Sequence, residues 1–214
     1  MSSIQHSPVD ILIIQCDKAI KTVFGRPETT VRPIPGHDLK YSELTLSEKT
    51  ISSRLMRVNH SGEVSAQALY QGQALTAKLP NVRKAMEQAA LEENDHLVWC
   101  KDRLDALNSQ TSILNPLWYA GSFTLGALAG KIGDKWSLGF VAETERQVIE
   151  HLDEHLAEMS AEDKTSRAIL EQMKIDEAHH GTIALEAGGA ELPSPVKVLM
   201  KFMSKVMTKS SYWI

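Results

Sequence analysis

Two halves of this chain carry the same acidic and imidazole side chains in the same order, a repeat that few folds can use. Glu63 is followed after 30 residues by Glu93-Asn94-Asp95-His96. Glu145 is followed after 32 residues by Glu177-Ala178-His179-His180. Residues three apart on a helix share a face, so each Glu-x-x-His pair aims one carboxylate and one imidazole at a common point. The two halves together supply four carboxylates and two imidazoles. That is the donor set of a two-metal carboxylate site inside a four-helix bundle.

Helical signals dominate the rest of the sequence, and alternating Val/Ile runs with Asn-Gly or Asp-Gly turns are absent. A short helix is expected from Asp10, its cap, to Phe24, before Arg26-Pro27. Pro27, Pro33, Pro35 and Gly36 mark an irregular connection through residue 44. Thr45 and Glu48 form a capping box that opens a helix running to Lys78. Leu79-Pro80-Asn81 turns the chain into a second helix ending near Leu107. A third is expected from Asp134 to Met159, and a fourth from Ser160–Asp163 to Gly188-Gly189. Glu63 lies about 16 residues before the first turn, and Glu93 to His96 about 13 to 16 after it. Glu145 lies about 15 residues before the second turn, and Glu177 to His180 about 17 to 20 after it. At roughly 1.5 Å per residue, each hairpin therefore brings its three ligands to similar heights.

Residues 108–133 are too long for a tight loop. They suit the crossover of a ferritin-like bundle. The expectation is one all-α, ferritin-like domain over residues 1–214. It divides into an N-terminal helix and irregular segment (1–44), the bundle (45–189) and a basic amphipathic tail (190–214).

Composition is that of a globular protein: 214 residues, 43% hydrophobic, 23% charged, with a formal net charge of −4. No nucleic-acid partner is expected. Cys16 and Cys100 stand in no metal-ligand spacing and read as reduced packing residues. The opening MSSIQHSPVD lacks the pattern of a secretory signal or transit peptide. A bacterial cytoplasm or the cytoplasmic face of its membrane is the expected setting.

Iron accepts hard carboxylate oxygens and borderline imidazole nitrogens, and manganese fits a carboxylate-rich site as an alternative. Glu93 and Glu177 are assigned as bridges, because each sits beside a histidine. Glu63 and Glu145 are assigned as terminal ligands, and His96 and His180 as one imidazole per metal. Glu143 remains an alternative to Glu145, and His179 to His180. Metal-bound histidines donate their other N–H to a carboxylate or carbonyl. Glu92 and Asp176, each preceding a Glu-x-x-His pair, are assigned that role for the histidine of the opposite hairpin. His60, three residues before Glu63, shares its face, as does Tyr70 seven after it.

The tail from Pro195 places Lys197, Lys201, Lys205 and Lys209 four residues apart, with Val198, Leu199, Phe202, Met203, Val206 and Met207 on other faces. Such a stripe reads as an interfacial helix on anionic lipid. No charged residue occurs from Ile113 to Gly130. That stretch is near spanning length, but Pro116 and its glycines are expected to break it, so it is read as lying in the interface.

Leu55-Met56-Arg57-Val58-Asn59-His60-Ser61-Gly62-Glu63, followed by Tyr70-Gln71-Gly72-Gln73, resembles the first signature of the demethoxyubiquinol hydroxylases of ubiquinone biosynthesis. Val141-Ala142-Glu143-Thr144-Glu145-Arg146-Gln147-Val148 and Asp176-Glu177-Ala178-His179-His180 resemble the signatures of that family's second half. The resemblance covers nearly the whole chain. It implies a peripheral membrane monooxygenase with two iron ions per chain. O2 would be the oxidant and a polyprenylated methoxy-methyl-benzoquinol the substrate, with other ubiquinone-biosynthesis proteins as expected partners. It supports Glu63, Glu93, His96, Glu145, Glu177 and His180 as ligands and implies a role near the site for His151. Two rival functions share the bundle: a ferritin-like protein handling iron and oxygen, and a metal-stabilised membrane scaffold.

Overall fold

The computed structural model describes residues 7–30, 32–39 and 43–214. The N-terminal targeting expectation rests largely on residues 1–6, which lie outside them. Among the described residues there are seven helices and no strand: α1 (Pro8–Phe24), α2 (Leu46–Thr76), α3 (Pro80–Ala106), α4 (Asn115–Ile132), α5 (Asp134–Glu158), α6 (Lys164–Glu186) and α7 (Ser194–Trp213). Hairpins α2/α3 and α5/α6 form the bundle, and α4 crosses between them.

Local chemistry sets the helix boundaries. Thr45 accepts from the Glu48 amide at 3.3 Å, and its own amide donates to the Glu48 carboxylate at 2.8 Å, closing the expected capping box on α2. The cap of α1 is Ser7 rather than Asp10. Asp10 is the acidic partner three residues on, completing a second capping box. Pro80 opens α3, where its missing N–H costs nothing.

Charged clamps hold the hairpins in register at both ends. Asp134, at the start of α5, accepts from the amides of Lys78 and Leu79 at 3.0 and 2.8 Å, tying itself to the α2–α3 turn. At the opposite end, buried Arg103 on α3 donates to Asp163 and Ser166, both at 2.7 Å. Asp163 caps α6 at the same time. Between the clamps lie two apolar clusters. One gathers Leu55, Met56, Trp99, Leu104, Leu152 and Leu170, and the other Tyr70, Val82, Met86, Leu138 and Val141. Along α2, Glu63 falls between the contributions to the two clusters, so the polar cage sits mid-bundle with apolar packing above and below. Cys100 is buried in the first cluster, whereas Cys16 is exposed on α1 and is not a packing residue.

The crossover is one uninterrupted helix, contrary to the expected breaks. Pro116 sits in the first turn of α4, where proline is tolerated. Gly126 and Gly130 are contact points rather than breaks. A Cβ on Gly126 would stand 2.2 Å from the Leu69 carbonyl oxygen, and one on Gly72 of α2 would stand 2.3 Å from that of Phe123. Only bare backbone permits this approach of α4 to α2. No helix of the described residues is long and apolar enough to cross a membrane.

Helix α7 docks through polar atoms and through Tyr212, which packs against the first apolar cluster. Ser204 meets His151 at 2.7 Å, and Ser211 accepts from the Trp118 indole at 3.1 Å. Its apolar residues Val198, Leu199, Phe202, Met203 and Val206 are exposed. Helix α1 likewise exposes Val9, Leu12, Ile13 and Ile20, and α4 exposes Leu117, Leu125, Leu128 and Ile132.

Candidate metal centre

Four helices each deliver part of one cage: Glu63 from α2, Glu93 and His96 from α3, Glu145 from α5, Glu177 and His180 from α6. All six side chains are buried. His96 Nδ1 lies 3.5 Å from Glu63, 3.4 Å from Glu93 Oε2 and 3.2 Å from Glu177 Oε1. His180 Nδ1 lies 3.1 Å from Glu93 Oε1 and 3.3 Å from Glu177 Oε2. Glu93 and Glu177 thus each turn one oxygen to each histidine, the disposition of bridging carboxylates. Glu63 stands on the His96 side. Glu145 accepts a hydrogen bond from the Tyr70 hydroxyl, and the Tyr70 ring meets His180 edge-on at 6.4 Å, which puts Glu145 on the His180 side.

The outer ring nitrogens face carboxylates of the opposite hairpin. His96 Nε2 lies 2.9 Å from Asp176, and His180 Nε2 lies 2.8 Å from Glu92. With a cation at the centre, a proton on each Nε2 would satisfy these contacts and leave each Nδ1 lone pair facing into the cage.

The inward atoms fit a cation. Glu63 Oε2, both Glu93 oxygens, His96 Nδ1 and Glu145 Oε2 are buried without hydrogen-bond partners. Glu63, Glu93, His96 and Glu177 offer ligand atoms all within 4.8 Å of one another. Burial, reinforced by neighbouring carboxylates, pushes the Glu63 and Glu145 carboxyls well above the usual range. Burial opposes charge on the imidazoles too, yet the surrounding carboxylates override it and push His180 up to about 12. The two imidazoles hold Glu93 well below the ordinary value despite its burial. The cage therefore draws positive charge inward. Four carboxylates with two imidazoles match the charge and softness of two divalent first-row metals.

Four sequence candidates lie elsewhere. Glu143 is engaged by Arg146 and Gln147, and His179 is exposed, so neither replaces its neighbour in the cage. His60 is buried against Asn115 at 3.3 Å. His151 turns to Ser204 on α7 rather than to the cage, as six helical residues of rotation from Glu145 require. A cavity of about 120 Å³ opens beside His180, lined by Tyr70, Met86, Ala89, Leu138, Val141 and Ile183. That is too small for a prenylated ring, whose kind of site spans roughly 300 Å³ or more.

Arg32 and Asp95 escaped the sequence reading. Arg32 lies in the irregular segment and bridges Asp95 at 2.7 Å and Asp176 at 2.8 Å. No periodicity marks a residue in such a segment. The only available signal for Asp95 was its place inside the Glu93–His96 run.

Fold and site define a ferritin-like helical bundle enclosing a carboxylate–histidine cage. A solved bacterioferritin-related protein from Bacteroides fragilis, described as a dodecameric thioferritin, superposes with a TM-score of 0.51 over 64% of this chain and 84% of its own, at 19% identity. That likeness establishes the fold alone. The profile of the family described as "Ubiquinone biosynthesis protein COQ7" matches residues 50–211, and the chain belongs to that family. Relatives bearing the name 3-demethoxyubiquinol 3-hydroxylase include one from Nitrosococcus oceani, 61% identical over 97% of each chain. Another, from Pseudomonas fluorescens, is 57% identical over 98% of this chain and 97% of its own. A third, from Nitrosomonas europaea, is 56% identical over 96% of this chain and 99% of its own.

Proposed function

We propose that this protein is a di-iron monooxygenase that hydroxylates a polyprenylated methoxy-methyl-benzoquinol with O2 in ubiquinone biosynthesis. The observation that carries this reading is the cage in which Glu93 and Glu177 each face both His96 and His180. The names of relatives 56–61% identical across nearly the full chain support the substrate class. Glu63 and His96 would hold one iron, Glu145 and His180 the other, with Glu93 and Glu177 shared. Iron bound there supplies the redox chemistry that activates O2, which carboxylates and imidazoles alone lack.

The chain's own residues do the rest. Asp176 and Glu92 keep a proton on each Nε2 and fix both imidazole planes. Tyr70 donates to Glu145 and orients its carboxylate. The apolar clusters on either side exclude bulk water from the cage.

We place the protein on the cytoplasmic face of the cell membrane. The outward apolar side chains of α1, α4 and α7 support this, since a prenylated quinol resides in lipid. Of the four tail lysines, Lys197 pairs with Glu191 and Lys201 with Glu150. Lys205 and Lys209 are therefore the cations assigned to anionic headgroups.

Metal analysis of purified protein should return two irons per chain. Glu177→Ala should stay helical, lose iron and lose hydroxylation of demethoxyubiquinol supplied with O2. Full turnover by that variant would remove the di-iron assignment. Iron uptake without quinol turnover in the parent would favour an iron-handling role instead.

A further inference from the structure

The two histidines of the cage have unequal surroundings. His180 leans on Glu92, whose other oxygen accepts from the Gln88 amide at 2.8 Å; the Arg32 charge reaches Glu92 through space, without a hydrogen bond among the described residues. His96 leans on Asp176, and Asp176 is itself held. Its Oδ2 takes both His96 Nε2 at 2.9 Å and Arg32 Nη1 at 2.8 Å, and its Oδ1 takes Gln172 at 2.9 Å.

Arg32 is fixed from several directions. Its Nε donates to Asp95 at 2.7 Å. Asp95 also accepts from the Thr30 amide at 2.8 Å, and Asn94 donates to the Glu28 carbonyl at 2.7 Å, so Glu28, Thr30 and Arg32 are all tied to α3 beside His96. The guanidinium lies 4.9 Å from the Trp99 ring centroid, and Trp99 lies 5.4 Å from the His96 ring. The planar guanidinium fork joins Asp95 on α3 to Asp176 on α6 in a fixed geometry, which a compact ammonium with freely rotating donors does not impose.

We propose that Arg32 is a positioning residue that makes the two metal positions unequal, by sharing Asp176 with the outer nitrogen of His96. This rests on the di-iron reading above. A carboxylate shared with a guanidinium pulls less on the His96 proton, so His96 is a weaker donor to its metal than His180. The nearby positive charge also favours the lower oxidation state. Both effects act in one direction: the iron on His96 is the more easily reduced of the two.

The test compares iron-loaded parent, Arg32→Met, Arg32→Lys and Arg26→Met by Mössbauer spectroscopy and redox titration. Arg26 pairs with Asp102 from the same N-terminal segment without touching the cage partners, so its variant loosens the segment only. The parent should give two distinct doublets. In Arg32→Met one doublet should move while the other stays, and the first reduction should shift to more negative potential. Arg32→Lys should restore most of the potential but leave that doublet displaced, and Arg26→Met should match the parent. An unchanged Arg32→Met, a parent with equivalent irons, or equal displacement of both doublets in Arg32→Met and Arg26→Met would each overturn the proposal. If Arg32→Met does not retain iron, Arg32→Lys decides, and doublets and potential identical to the parent's overturn it. A parent without iron would sink the di-iron reading itself, whereas a two-iron parent with a silent Arg32 would sink only this inference.

Discussion

At the scale of single residues, the cage depends on side chains that use two atoms for two purposes. Each histidine gives Nε2 to an outer carboxylate and Nδ1 to the centre, and Glu93 and Glu177 each divide their oxygens between the two histidines. The three-residue step of Glu93/His96 and Glu177/His180 made these pairs legible, because helical geometry converts that spacing directly into a shared face. The acidic residue before each pair was legible for a different reason: a metal-bound histidine needs an acceptor for its outer N–H. Arg32 was not, because a guanidinium in an irregular segment reaches its partners through tertiary placement alone. Tyr70 provides a residue-scale test. Without metal, Tyr70→Phe strips buried Glu145 of its donor and should destabilise the protein by about 1–3 kcal/mol in urea titrations. With iron bound the loss should shrink, since the cation then satisfies the carboxylate.

At the scale of elements, helix limits followed from caps and prolines, while the meaning of α4 did not. Pro116 and three glycines read as interruptions, yet the proline occupies a first turn and two of the glycines meet α2. A glycine that breaks a helix and one that admits a neighbour look alike until the neighbour is in place. Gly126→Ala should therefore cost about 1–3 kcal/mol, read as a lowered melting temperature, because its Cβ would meet the Leu69 carbonyl. Gly121→Ala, with open space at its Cβ, should be neutral or stabilising by up to about 1 kcal/mol.

Two buried histidines join α2 to its neighbours and make stability depend on pH in the acid range. Burial pulls His60 down to about 3 and His155, on α5 against Asn59, down to about 4. Their ordinary value is 6.5, so between these limits the unfolded chain binds more protons than the folded one. Stability should thus fall as pH drops from 6.5 toward 4, by up to about 1.4 kcal/mol per unit for each histidine. His155→Gln should flatten that slope in urea unfolding followed across pH.

At the scale of the whole molecule, the bundle points apolar residues both inward and, on α1, α4 and α7, outward. The lysine stripe suggested an electrostatic anchor of four equal charges. Folding divides them, since acidic partners on the protein engage Lys197 and Lys201. Lys205→Gln with Lys209→Gln should weaken binding to anionic vesicles by about 2 kcal/mol, at about 1 kcal/mol per lysine. Lys197→Gln with Lys201→Gln should weaken it less, and sedimentation with vesicles of graded phosphatidylserine content would compare the pairs. From sequence alone came the four-helix plan, both hairpins, the six cage residues and their acidic supports, because helical periodicity and capping act over a few neighbouring positions. Tertiary structure alone decided which oxygen faces which histidine, that Arg32 joins Asp95 to Asp176, that α4 is unbroken, and which tail lysines meet acidic partners. Those outcomes turn on contacts between segments up to 144 residues apart, and no local period encodes them.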